Sequence, residues 1–387
     1  MPPSPLVSVV GTGLQYPQHK LGPEFVPKIV TNCYEDNVAL LKLIEINERT
    51  KIENRYSILP TDYPIWLQDY ILTNSECDSM FKQYGIPLAT LAATQAIADW
   101  GGNAMDITHV VAMTCTSTSS PGFDCTLCQE LGLAKHVRRT LVNGVTCAGS
   151  VAMLRTAYDL LLGATQQGKP ARALVVAAET QTVYIKGWLD TVARDSIPNL
   201  APTLFGDGAG ALVLSNGIGV KESEREAIWN IQGAQSTLLD EAGNIGIQCT
   251  PTGIMPIISK QVPRLVQAAL PPSFGNLISN CPSLRLEESN FDPTTYDWAL
   301  HPGGQAILTA AENALGLSAD DHLQMSYKCY RNAGNTSSVT VLSILHQLAR
   351  GYREGSPGRS KVIAAAFGAD ITVEIMVLTK PSCGSVH

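Results

Sequence analysis

Three residues stand in contexts where their side chains could do chemistry. Cys147 lies in Val145-Thr146-Cys147-Ala148-Gly149-Ser150, between a strand-like stretch and an apolar segment of helical spacing. A thiol at a helix N-terminus meets unpaired backbone donors and the positive end of the helix dipole, and both favour the nucleophilic thiolate. A small buried core cysteine would sit in similar surroundings. His301 ends a strand in Trp298-Ala299-Leu300-His301-Pro302-Gly303-Gly304, where paired glycines allow a tight turn before the next helix. The C-terminal end of a strand is where α/β sheets present functional groups. Asn335, in Ala333-Gly334-Asn335-Thr336-Ser337-Ser338, reads either as a helix N-cap or as an amide donor into a cleft.

The elements that must position these groups alternate in type. Strands are expected at Ile107–Met113, Thr140–Val142 and Ala173–Ala178, and a helix at 122–131 ended by Gly132. Val151, Leu154, Tyr158, Leu161 and Leu162 recur at helical spacing after Cys147, with Gly163 as C-cap. The second half repeats the scheme. It has a strand over 296–300, helices over 305–315 and 336–350 (Gly351 following), and paired strands over 361–366 and 371–378. Leu204-Phe205-Gly206-Asp207-Gly208 and Ala366-Phe367-Gly368-Ala369-Asp370 echo each other ahead of apolar runs. This alternation favours a layered α/β fold of two similar halves, 1–225 and 226–387, divided at the charge run Lys221–Glu226, which reads as solvated.

Charged residues make up only 16% of the 387 residues, against about 25% in a typical globular chain, which implies much buried surface. The net charge of −7 and a pI near 5.5 argue against nucleic acid as a partner. No apolar run is long enough to span a bilayer and the N-terminus does not resemble a signal peptide, so a soluble, cytoplasmic protein is expected. The ten cysteines follow no framework spacing and are expected as free thiols.

All three local contexts match one family. Cys147 lies eight residues before Arg155, and His-Pro-Gly-Gly and Gly-Asn-x-Ser-Ser follow in order. With Leu204-Phe205-Gly206-Asp207-Gly208-Ala209, the chain from Lys42 to Leu378 resembles the chalcone synthase-like type III polyketide synthases. The resemblance implies a thiolase-like fold, a homodimer, acyl-CoA and malonyl-CoA as substrates, and no metal or redox cofactor. It casts Cys147 as a nucleophile paired with imidazolium, and His301 and Asn335 as donors to the thioester carbonyl of malonyl-CoA. Repeated decarboxylative condensation would give a chain that closes as a pyrone or resorcinol-type ring. Phe205 resembles the family's gatekeeping aromatic, and Lys42, Arg49 and Arg55 its phosphate-binding cluster, although Glu45 replaces one basic member. Ser337 joins the expected substrate contacts.

Several expected cavity positions depart from the plant enzymes. Cys249 stands where a second gatekeeping Phe is usual, Cys115 and Tyr184 replace pocket threonines, and Ser120 replaces a Met that reaches the partner's cavity. Smaller side chains at 249 and 120 lead to the expectation of a long apolar tunnel for a fatty acyl starter. Other motifs carry less. Cys125-Thr126-Leu127-Cys128 lacks the second pair a zinc site needs, and Val10-Gly11-Thr12-Gly13 lacks the third glycine of a dinucleotide fingerprint. The rival readings are a β-ketoacyl-ACP synthase III-like single condensation and an inactive binding scaffold of the same fold. The first typically carries His-Gln-Ala-Asn in place of His-Pro-Gly-Gly.

Overall fold

The computed structural model describes residues 7–35, 37–240, 243–355 and 358–381. Its strands are β1 (Val7–Gln15), β2 (His19–Leu21), β3 (Arg55–Ser57), β4 (His109–Met113), β5 (Arg138–Val142), β6 (Arg172–Glu179), β7 (Gly208–Ser215), β8 (Trp229–Leu238), β9 (Ile245–Thr250), β10 (Gly253–Ile258), β11 (Asp297–Leu300), β12 (Lys361–Gly368) and β13 (Thr372–Thr379). Nine of them form one sheet in the order β11-β12-β13-β8-β1-β7-β6-β4-β5, while β9 and β10 make a separate hairpin. From the centre outward the two sides repeat each other. The run β1, β7, β6, β4 pairs antiparallel, antiparallel, then parallel, and so does the run β8, β13, β12, β11.

Two helices, Gly149–Gln166 and Thr340–Arg353, follow the Cys147 and Asn335 segments. Each touches strands from both halves of the sheet, so together they form a middle layer. Their apolar faces, including Val151, Leu154, Leu161, Val341 and Leu345, bury against Val175, Leu212, Val362 and Met376. Further helices, among them Ile86–Trp100, Val262–Asn280 and Gln305–Leu315, cover the outer faces. This is the thiolase-like layering.

The structure moves several sequence boundaries. The helix after Cys147 runs past Gly163 to Gln166, with Gln167 as its C-cap and Gly168 in the left-handed region. A tight 3-10 turn, Ser337–Val339, precedes the helix Thr340–Arg353, which includes Gly351. Gly11 and Gly13 serve packing: a Cβ on either would lie 2.3 or 2.0 Å from the carbonyl oxygens of Ala96 and Ala92, so only glycine lets the helix Ile86–Trp100 approach β1. Phe205 precedes β7 whereas Phe367 lies within β12, so the two echoing segments occupy different places in the repeat.

The charge run at 221–226 is not wholly solvated. Glu224 is 3% exposed and Arg172 4%, and the pair is joined at 3.1 Å, with Trp100 Nε1 donating to the same carboxylate at 2.9 Å. Removing the cation would strand a buried carboxylate. Arg172→Met is therefore expected to lower stability by about 3–5 kcal/mol, read from the shift in the urea unfolding midpoint.

Candidate active site

The turns that enter the two central helices meet each other. Thr146–Ala148 and Ser337–Val339 are both 3-10 turns, and both begin with a residue of positive φ, Thr146 at 48° and Ser337 at 51°. A β-branched residue in the left-handed region is strained and persists only where surrounding contacts impose it. Here the imposing contact is close approach. A Cβ on Gly368 would lie 2.1 Å from the Val145 carbonyl oxygen, so β12 passes directly against the nucleophile turn. The outcome is a Cys147 Sγ to Ser337 Oγ separation of 3.6 Å.

Asn335 is held from both ends. Its Oδ1 accepts from Ser337 N at 2.8 Å, and its Nδ2 donates to the Gly303 carbonyl at 3.0 Å. Its side chain thus braces the turn, and the residue also lines the Cys147 chamber. Gly334, at φ 67°, permits this placement, because a Cβ there would lie 2.6 Å from the Leu204 carbonyl oxygen. That same carbonyl accepts from Asn335 N, and Gly206 N donates to the Asn335 carbonyl, so the Phe205 segment is strapped to the asparagine. His301 follows β11, with its backbone N–H donating to the Ala365 carbonyl at 2.8 Å and its Nδ1 buried without a partner.

Cys147, His301, Asn335, Ser337 and Phe205 line one chamber. Its other walls are mostly apolar: Ile245, Ile247, Pro256, Ile257 and Ile258 from the hairpin, with Val262, Ile307 and Phe367, while Thr146 and Gln181 add polar groups. Sequence reasoning missed this wall, although alternating Ile residues flanking Thr250-Pro251-Thr252 mark a hairpin.

The electrostatics run against the expectation that the helix N-terminus favours a Cys147 thiolate. Burial, with the Glu179 carboxylate adding to it, pushes the Cys147 thiol up to about 12, against hydrogen bonds from Ser337 and Asn335. Burial likewise pushes His301 down to about 3. Charging either group by itself in this chamber is costly, whereas moving the proton from sulfur to imidazole creates both charges in one place. Glu179 was also missed. It is fully buried, accepts from Ser338 Oγ and Cys115 N, and burial raises it to about 7.

Other expected site residues are distributed differently. Cys115 and Cys249 line an adjoining cavity rather than the chamber itself. Cys249, opposite Ile254 in the hairpin, is exposed, whereas Pro256 on the facing strand is among the hairpin residues that line the chamber with Phe205. Ser120 is exposed in the single chain, before Pro121. Tyr184 is buried below the site, its hydroxyl donating to the Thr116 carbonyl at 3.2 Å. Arg55, 2% exposed, donates to the Pro202 carbonyl and packs beneath Gly334, which removes it from any phosphate site. Lys42 and Arg49 lie exposed on the helix Val38–Arg49, with Lys42 paired to Glu45 at 3.0 Å. Cys125 and Cys128 share the helix Phe123–Glu130, and no cluster of metal-binding side chains occurs among the described residues. Cys383 lies outside them.

Residues 9–217 match the N-terminal domain of chalcone and stilbene synthases, and residues 230–381 match their C-terminal domain. The chain belongs to the chalcone and stilbene synthase family. It is a type III polyketide synthase, an acyltransferase. It is 47% identical over 384 residues to the acylalkylpyrone synthase CsyB of Aspergillus oryzae, covering 99% of this chain and 96% of that one. The type III polyketide synthase PspB of Penicillium soppii is 32% identical, with 98% and 97% covered. The crystal structure of CsyB complexed with CoA-SH superposes with a TM-score of 0.95, covering 97% of this chain and 100% of the other at 47% identity. Fungal members are thus well represented among its similar proteins.

If His301 receives the thiol proton, its removal should make the sulfur harder to ionise. Iodoacetamide alkylation of Cys147 in His301→Gln is expected to follow pH along a curve displaced upward by at least about one unit. Superimposable rate–pH curves for parent and variant would contradict the pairing.

Proposed function

We propose that this synthase builds pyrones by iterative decarboxylative Claisen condensation of malonyl-CoA onto a fatty acyl-CoA starter held on Cys147. The observation that carries the reading is the convergence of Cys147, His301 and Asn335 in one chamber with apolar walls. The name of CsyB, an acylalkylpyrone synthase, points to the same product class.

In this reading the Cys147 proton passes to His301 and the thiolate attacks the starter thioester, releasing coenzyme A. The acyl chain lies along the isoleucines of the hairpin. Malonyl-CoA then binds with its thioester oxygen facing Asn335 Nδ2 and the imidazole. Loss of carbon dioxide turns that carbonyl into an enolate, whose charge the fixed donors stabilise. The enolate carbon attacks the acyl-Cys147 thioester, a carbon–carbon bond forms, and the thiolate is released for the next cycle. Two such cycles leave a β-keto chain whose terminal enol oxygen can close on the thioester as a lactone. None of these steps calls for a metal or redox cofactor.

Phe205, fixed to the Asn335 strap, is the proposed gate between coenzyme A and the chamber. Lys42 and Arg49 remain the proposed contacts for coenzyme A phosphates. We further propose a cytoplasmic homodimer in which the exposed Ser120 segment approaches the partner, and two halves that meet near residue 225. Among the described residues no helix is long and apolar enough to cross a membrane.

Incubation with fatty acyl-CoA and malonyl-CoA, without carrier protein, is expected to yield alkylpyrones by mass spectrometry. A requirement for carrier-bound extender would favour the single-condensation alternative. Asn335→Ala removes one enolate donor and is expected to slow condensation by about 10²–10³-fold, with circular dichroism verifying the fold. Ile257→Trp is expected to shorten the preferred starter, and an unchanged chain-length profile would place the acyl chain elsewhere.

A further inference from the structure

We propose that Cys115 is a second acyl acceptor, taking the acyl group from Cys147 by thioester exchange within the enzyme. The inference rests on Cys147 being the loading nucleophile, and it assigns the neighbouring thiol a role beyond lining the pocket. Cys115 stands just past the end of β4, and two features set it apart from a core cysteine. The Ser337 hydroxyl that lies 3.6 Å from Cys147 Sγ also acts on the Cys115 thiol, so one hydroxyl stands near both sulfurs. Cys115 also lines a cavity of about 340 Å³. That cavity shares Thr146, Ile245, Gly246, Ile247 and Ile257 with the Cys147 chamber, and three of these five are isoleucines able to lie along an alkyl chain. A thiol, a proton path and space for a chain therefore coincide.

The exchange is balanced without any further reactant. The Cys115 sulfur attacks the acyl carbon on Cys147, and the carbon–sulfur bond to Cys147 breaks. The Cys115 proton passes to the Ser337 oxygen while the Ser337 hydroxyl proton moves to the departing Cys147 sulfur. One thioester replaces another, so the exchange can run in either direction. Glu179, which receives the Cys115 backbone N–H at 3.0 Å, fixes the acceptor's backbone in place. The consequence is that Cys147 becomes free to load again while the first chain stays in the enzyme.

The protein is incubated with lauroyl-CoA alone, quenched in acid at intervals and digested with trypsin. Cys147 then falls in the peptide 140–155 and Cys115 in the peptide 83–135, which also holds Cys125 and Cys128, so tandem fragmentation locates the label. Hydroxylamine-labile lauroyl groups are expected on both Cys147 and Cys115, the latter appearing later, with loss of both in Cys147→Ala. Label confined to Cys147 at all times overturns the proposal, as does label on Cys115 that persists in Cys147→Ala. Absence of label from both peptides overturns the role of Cys147 and the exchange with it.

Discussion

The site depends on two strained turns pressed together at the N-terminal ends of the central helices. Each helix belongs to one half of a repeated sheet, and the middle layer brings their starts into contact. Thr146 and Ser337 both take left-handed backbone conformations there, which neither residue would adopt without the packing around it. Glycines make that packing possible: Gly368 lets β12 pass the Cys147 turn, and Gly334 lets the asparagine segment lie under Leu204. Cys147 and Asn335 are thereby carried by closely packed turns, where a small displacement would meet rigid neighbours.

Burial is also what sets the chemistry. The chamber opposes both the lone thiolate and the lone imidazolium, so in the proposed mechanism reactivity belongs to the pair and to the moment of proton transfer. The helix dipole and the Ser337 and Asn335 hydrogen bonds favour the thiolate, but desolvation outweighs them for the sulfur considered by itself. The same dry environment strengthens the fixed amide donor of Asn335 when an enolate forms near it. One physical condition therefore serves both the loading step and the extension step.

Much of this was legible in the sequence. The α/β alternation, the helix over 305–315 and the pairing of the last two strands follow from local pattern, and the contexts of Cys147, His301 and Asn335 pointed to one chamber. What the sequence hid depends on tertiary placement. Cys249 and Pro256 differ by a few positions on one hairpin, yet only the register of β9 against β10 decides which of them enters the chamber. Arg55 looked like a surface cation because it follows Lys42 and Arg49, but β3 carries it into the interior beneath Gly334. Glu224 sat in a run of charges and is nevertheless buried, because its partner Arg172 is distant in sequence. Glu179 carried no local signal beyond ending an apolar strand.

The central claim is that the sulfur of Cys147 carries the growing chain. The most direct measurement is the rate of carbon–carbon bond formation by Cys147→Ala, with folding checked by circular dichroism, under fatty acyl-CoA and malonyl-CoA. The account requires that extended products disappear while the protein remains folded. Extended products formed at the parental rate would contradict it.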